Sequence, residues 1–133
     1  MAKREYLKQA FTARRRIREL KEQIARVREE MTCIGSGVIK DSVQTSPKSD
    51  PMGDMLARKL DRIARCEAEI AKWEIMLMDI EDAIDAVENS LCREVLRARY
   101  ISRKRWDAIA ADTGYSMSHL YDIHSRAVGL VKL

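Results

Sequence analysis

Apolar side chains recur in alternating steps of four and three near the start of the chain: Tyr6, Ala10, Ala13, Ile17, Leu20, Ile24, Val27 and Met31. That spacing is a heptad seam, and it predicts a helix from about Lys3 to Met31. Neither proline nor glycine interrupts it, and Leu7 and Phe11 widen the stripe at its start. The pattern stops over residues 33–52, where Gly35, Gly37, Pro47 and Pro51 stand among Ser and Thr. This stretch reads as a loop of roughly twenty residues, a length uncommon in compact domains. Val38, Ile39 and Val43 are available to pin part of it, with a weak signal for a short strand. A second seam follows: Ile63, Cys66, Ile70, Trp73, Leu77, Ile80, Ile84, Val87 and Leu91, with Leu56 one heptad earlier. It predicts a helix from about Met52 to Glu88, ~55 Å long at the usual rise.

The pattern shortens after Asn89-Ser90, which offers a helix N-cap. Leu91, Val95, Leu96 and Tyr100 mark one short helix, and Ile101-Ser102 breaks it. A second is expected from about Lys104 to Asp112, with Trp106, Ile109 and Ala110 inward. Thr113-Gly114-Tyr115 reads as a tight turn, because Gly114 tolerates positive φ. Ser116 then caps a last helix carrying Leu120, Ile123, Ala127, Leu130 and Val131 on one face. A small residue at the crossing (Ala110), a glycine four residues later and branched apolar residues in the next helix form a helix-turn-helix pattern.

The expected fold is therefore all-α: an antiparallel coiled-coil hairpin over residues 1–89, with the loop at 33–52, followed by a helix-turn-helix module over 90–133. Charge supports the fold-back. Residues 1–33 hold ten Lys/Arg against five Asp/Glu, and residues 54–89 hold five against ten. An antiparallel pairing sets Arg4 and Lys8 beside Asp79, Glu81, Asp82, Asp85 or Glu88. Exposed pairs contribute ~0–1 kcal/mol each, so they orient more than they stabilise. A two-helix hairpin has a thin core, which favours a homo-oligomer, a dimer first, or packing on the terminal module.

Composition excludes several functions. Aromatic residues are 5% and only two prolines occur, which favours helix over sheet. No apolar run approaches the ~20 residues that span a bilayer, so no membrane partner is expected. The amphipathic, charged opening Met1-Ala2-Lys3-Arg4-Glu5 is unlike a secretory signal. Cys33, Cys66 and Cys92 are odd in number and widely spaced, which suits a reducing cytoplasm. His119 and His124 are five apart and fall on different helix faces, so no metal site is expected. No Gly-rich phosphate loop or catalytic triad appears, and neither enzyme activity nor a cofactor is expected.

Residues 90–133 hold eight Lys/Arg against four Asp/Glu. In a helix-turn-helix the start of the second helix enters the major groove. Ser116, Met117, Ser118, His119, Tyr121, Asp122 and Ser125 are the residues expected to face double-stranded DNA. Ser and His hydrogen-bond base edges or phosphates, and Met and Tyr touch thymine methyls. Asp122 repels phosphate and suits a cap, an arginine or a cytosine. Arg97, Arg99, Arg103, Lys104, Arg105 and Arg126 are the expected phosphate partners, with Arg103-Lys104-Arg105 the strongest cluster. Arg14-Arg15-Arg16 suits nucleic acid and a solvated helix flank equally.

Tyr100-Ile101, Lys104-Arg105-Trp106-Asp107-Ala108-Ile109-Ala110, Gly114-Tyr115-Ser116 and Tyr121-Asp122-Ile123-His124-Ser125-Arg126-Ala127 resemble the C-terminal part of the ArpU/RinA-like phage late transcription regulators. That family carries a helix-turn-helix related to region 4 of bacterial sigma factors. Arg4-Glu5-Tyr6-Leu7 and Val43-Gln44-Thr45-Ser46 resemble its opening and linker. The resemblance implies a phage or prophage protein in a bacterial cytoplasm that activates late genes. It also implies basic or amide residues early in the recognition helix, where this chain has Met117, Ser118 and His119. Dimerisation or contact with RNA polymerase would then supply the remaining affinity. Two other functions fit the same pattern: a DNA-packaging subunit of the small-terminase kind, and a protein that grips RNA polymerase without reading DNA.

Overall fold

The computed structural model describes residues 2–38 and 50–133, and every regular element among them is helical. The chain runs α1 (Lys3–Val38), α2 (Pro51–Asp85), α3 (Ser90–Leu96), a π-helical turn (Arg97–Ile101), α4 (Trp106–Thr113) and α5 (Met117–Leu130). The expected all-α class is what is seen. No helix among the described residues is long and apolar enough to cross a membrane.

One boundary differs from expectation. The backbone of α1 continues through residues 33–38, including Gly35 and Gly37, where a loop was expected to begin. A glycine costs a helix interior about 1 kcal/mol. Extending a helix that already exists adds one hydrogen bond per residue without a new nucleus, so two glycines near its end need not stop it. Ile39 and Val43, the weakly signalled strand and Val43-Gln44-Thr45-Ser46 lie outside the described residues. The start of α2 is set locally. Pro51 supplies the first helical position, and the Asp50 carboxylate accepts the Gly53 N–H at 2.9 Å.

The described residues divide into two compact units, and the division does not fall at 89/90. One unit joins residues 1–15 to residues 73–133, and the other is Arg16–Lys72. In Arg16–Lys72 the heptad positions Ile17, Leu20, Ile24, Val27, Ile63, Cys66 and Ile70 are buried. Ion pairs flank that seam: Arg16 with Glu69 at 3.1 Å, Arg28 with Glu67 at 3.4 Å and Lys59 with Glu30 at 2.6 Å. The Lys59 ammonium holds the Glu30 carboxyl below the usual carboxylate range, chiefly by its hydrogen bond.

The other unit has one apolar core that draws on every element in it. Leu7 and Ala10 of α1 and Ile80 and Ile84 of α2 are fully buried there with Leu96, Ile109, Leu120 and Val131. The helix joints are capped as the sequence suggests. The Asn89 side chain accepts the Cys92 N–H at 3.0 Å, and Arg93 reaches back to the Val87 carbonyl at 2.9 Å. Trp106 and Ala110 are half-buried against this core and Ile109 is fully inside it. Leu130, expected on the inner face of α5, is 45% exposed, while His124 and Val128 are buried. The buried stripe of α5 runs through Leu120, Ile123, His124, Ala127 and Val128, and Leu130 falls at its edge.

Candidate nucleic-acid interface

α4 ends on Gly114, whose φ of 78° is left-handed and whose N–H bonds the Ala110 carbonyl at 2.8 Å. This is the helix stop that a glycine permits and a side chain resists. Two residues on, the Ser116 hydroxyl accepts the His119 N–H at 3.1 Å and starts α5. A stop and a start so close set two helices at an angle around Ile109, Leu120 and Ile123, all buried. The opposite face of α5 is then forced outward. Met117, Ser118, His119, Tyr121, Asp122, Ser125 and Arg126 are all exposed, as is Ser116. The Ser116 hydroxyl is committed to its cap, and the His119 ring packs edge-on against Tyr115 at 4.9 Å.

The basic segment before α4 is held by backbone geometry. Arg103 adopts a left-handed φ of 56°, and the Lys104 N–H bonds the Ala98 carbonyl at 2.9 Å. Together they turn the chain from the π-helical turn into α4 and leave Arg103, Lys104 and Arg105 exposed. Lys104 pairs with Asp112 at 2.8 Å and Arg105 lies 3.8 Å from Asp107. Trp106 meets Tyr121 edge-on at 5.3 Å, so the end of this segment adjoins the outer face of α5.

Besides Lys104 on Asp112, two of the expected phosphate partners are used otherwise. Arg97 hydrogen-bonds Asp85 and lies 3.3 Å from Glu81, and the Asp85 contact raises its pKa further. Arg99 lies over the rings of Phe11, at 5.5 Å, and Trp106, at 5.0 Å, and donates to the Lys104 carbonyl at 3.0 Å. Of the expected meeting between the start of α1 and the acidic end of α2, Tyr6 takes part: burial raises its pKa, and Asp79 and Asp82 raise it further, while Glu81 and Asp85 pair with Arg97. That arginine sits nearer in the chain and is carried to Asp85 and Glu81 by the α2–α3 joint.

Arg4 and Lys8 instead border a cleft of about 360 Å³, lined also by Phe11, Arg99, Tyr100, Trp106, Tyr121, His124 and Ser125. Its floor is a buried pair: the Tyr100 hydroxyl and the His124 Nε2 are 2.8 Å apart. His124 is 7% exposed, and burial, reinforced by Arg4, Arg99 and Lys8, pushes its pKa down to about 4. It is neutral at physiological pH, and its Nε2 and the Tyr100 hydroxyl satisfy each other. Burial also raises the Tyr100 pKa, a shift that Arg4 and Arg99 oppose. Beneath this floor Arg14 donates to the Tyr100 carbonyl at 2.8 Å.

The residues expected from sequence at the recognition face are thus exposed on α5 and on the segment leading into α4. The sequence offers packing of the hairpin on the terminal module as one alternative, and of the residues that widen the stripe of α1, Leu7 lies in this unit's core and Phe11 packs against it. What it does not single out is the cleft bordered by Arg4 and Lys8, one helical turn apart and therefore on one face. No family model, curated protein or solved structure matches the chain.

Proposed function

We propose that α4 and α5 form a helix-turn-helix that binds double-stranded DNA, and that the chain is a transcription regulator of the phage late-gene kind. The observation that carries this reading is the corner at Gly114. It buries Leu120 and Ile123 and turns Ser118, His119, Tyr121, Asp122 and Ser125 outward on the first turns of a capped helix. A helix start so presented fits the width of a major groove. Arg103, Arg105 and Arg126, exposed beside it, suit the phosphates. The resemblance of residues 100–127 to the ArpU/RinA-like regulators supplies the biological setting, a phage or prophage gene in a bacterial host.

The same reading takes residues 1–89 as an antiparallel coiled-coil hairpin. Within Arg16–Lys72, Arg16 near the start of that stretch pairs with Glu69 near its end, and Glu30 pairs with Lys59. Ile75 and Met78 of α2 are 59% and 63% exposed, which suits a second copy of the chain.

Fluorescence anisotropy with promoter DNA from the encoding genome, against a shuffled duplex, tests the reading. Preference for the promoter and a steep loss of affinity with salt are expected. Equal affinity for both duplexes would overturn it. A second reading, contact with RNA polymerase without DNA readout, draws on the exposed Tyr115, Met117 and Tyr121, which are 37%, 37% and 45% exposed around an acidic Asp122. Replacing Ser118 and His119 with Ala separates the two, since the change weakens DNA readout and leaves polymerase binding intact.

A further inference from the structure

The cleft between the start of α1 and the outer flank of α5 is not used by the helix-turn-helix corner. Three cations reach it, Arg4, Lys8 and Arg99, and none of its lining residues is a carboxylate. Four other cations of this unit are satisfied within the protein: Lys3 on the Gly129 carbonyl, Arg14 on the Tyr100 carbonyl, Arg97 on Asp85 and Lys104 on Asp112. Arg4 and Lys8 make no hydrogen bond or ion pair among the described residues, and both are exposed. Two members of the acidic end of α2, Glu81 and Asp85, pair with Arg97, and none of that end lines the cleft. A concave surface with surplus positive charge and no internal counter-charge attracts an anion.

The floor adds chemistry. Phe11, Tyr100 and Trp106 give low-dielectric walls, and the His124–Tyr100 hydrogen bond satisfies the buried polar pair at the bottom without a carboxylate. Arg99 and Tyr100 belong to the π-helical turn, an irregularity that recurs at functional sites. Position matters most. Tyr121 and Ser125 line the cleft and lie three and seven residues after Ser118, on the same face of α5. The cleft therefore opens beside the surface assigned to the groove, where the sugar-phosphate strand would pass.

We propose that this cleft is a phosphate site, in which Arg4 and Lys8 hold a backbone phosphate of the DNA strand flanking α5. The proposal rests on the DNA-binding reading above and extends the footprint to the first two turns of α1. The chemistry is that of phosphate oxygens on a guanidinium and an ammonium, and a free phosphate shares it.

The test measures DNA affinity against salt for the full chain and for Arg4→Gln/Lys8→Gln, using a duplex of scrambled sequence. Arg18→Gln/Lys21→Gln, on exposed positions of the other unit, removes the same charge elsewhere. Loss of one or two phosphate contacts makes the slope of log K against log salt shallower by about 1–2. Affinity at low salt is expected to fall by roughly tenfold in the Arg4/Lys8 variant, with the control unchanged. Lys8→Gln alone keeps the comparison open if the double variant fails to fold. A second arm follows Trp106 emission in a Trp73→Phe background during titration with inorganic phosphate. A normal DNA slope in the folded Arg4/Lys8 and Lys8 variants overturns the phosphate site and leaves the DNA reading standing. A chain that ignores DNA but shows a saturable Trp106 response to phosphate, lost in the Arg4/Lys8 variant, keeps the site with a free anion as ligand and removes the DNA reading. Silence in both arms ends both.

Discussion

Arg16–Lys72 and the unit built from residues 1–15 and 73–133 use the same helices differently. In the first, a single apolar seam is flanked by cations that find carboxylates on the neighbouring helix, as Arg16 does with Glu69 and Lys59 with Glu30. Nothing there needs an aromatic ring. The two units have the same net charge, +2, so they differ in where their cations sit and not in how much charge they carry. In the second, Phe11, Tyr100, Trp106, Tyr121 and His124 form a chain of ring contacts, and Arg4 and Lys8 remain unmatched. Cations paired across an apolar seam mark the part of the chain that holds itself together. Cations gathered with rings around a cleft mark the part that meets something else. The comparison gives experiments their order, since core positions, the buried histidine, the glycine corner and surface pairs carry successively less energy.

The largest contrast should come from leucines in the two units. Leu120 is 0% exposed beneath the proposed recognition face, and Leu60 is 56% exposed in Arg16–Lys72. Leu120→Ala removes a buried isobutyl group and leaves a cavity, so denaturant unfolding should show a loss of about 2–5 kcal/mol. Leu60→Ala should stay within about 0.5 kcal/mol of the parent. Equal losses would mean that Leu60 is buried in solution by a second copy, which analytical ultracentrifugation would then detect.

His124 gives the next effect, and it has a pH signature. Unfolded, the imidazole takes up a proton below its ordinary value of 6.5; folded, it resists protonation until about pH 4. Arg4 and Lys8 from α1 and Arg99 from the π-helical turn all oppose the added charge, while Tyr100 and Trp106 exclude water around it. The unfolded chain binds more protons in that window, so stability falls as pH drops from 6.5 toward 4 and levels off below. The full difference amounts to about 3 kcal/mol. Urea titrations of the parent and of His124→Gln at pH 7 and pH 4.5 should show a steeper loss in the parent. Parallel curves would mean that the ring is solvated and that the floor of the cleft is not built as described.

Gly114→Ala probes the corner itself at a smaller scale. An ideal Cβ there meets no atom within 4 Å, so the cost is purely that of holding alanine at a φ of 78°. A loss of about 1–2 kcal/mol is expected, and Gly114→Asn should recover part of it. No change in the alanine variant would show that the turn relaxes to another backbone conformation, and the angle between α4 and α5 with it.

Much of this arrangement was legible in the sequence because its causes are local. Heptad spacing placed Ile17, Leu20, Ile24, Ile63 and Ile70 inside. Asn89, Gly114 and Ser116 announced their caps through chemistry that acts over three or four residues. The outer face of α5 followed from the burial of Leu120 and Ile123. What escaped was non-local. Nothing near position 97 says that Arg97 will reach Asp85 and Glu81, and nothing near positions 4 and 8 says that these cations will border a cleft with Tyr100 and His124. The π-helical turn has no residue signature, since it arises where one extra residue must fit between α3 and the segment that Arg103 redirects. His124 carries no apolar signal in the sequence and is buried because Tyr100, 24 residues away, supplies a hydrogen-bond partner.

The smallest expected effect separates the two units most directly. Arg16 and Glu69 are both about two-fifths exposed, and their 3.1 Å contact, which raises the Arg16 pKa, sits in water and salt. Exposed pairs of this kind gain little because ordering two long side chains offsets the attraction, and salt screens what is left. Arg16→Ala and Glu69→Ala should therefore move the urea midpoint barely beyond measurement error, and less at 0.5 M than at 0.05 M salt. Their DNA salt slope should match the parent's. If either substitution weakened DNA binding as Arg4→Gln/Lys8→Gln is expected to, charge in Arg16–Lys72 would belong to the same binding surface. The contrast between a self-sufficient helix pair and a partner-seeking unit would then be false.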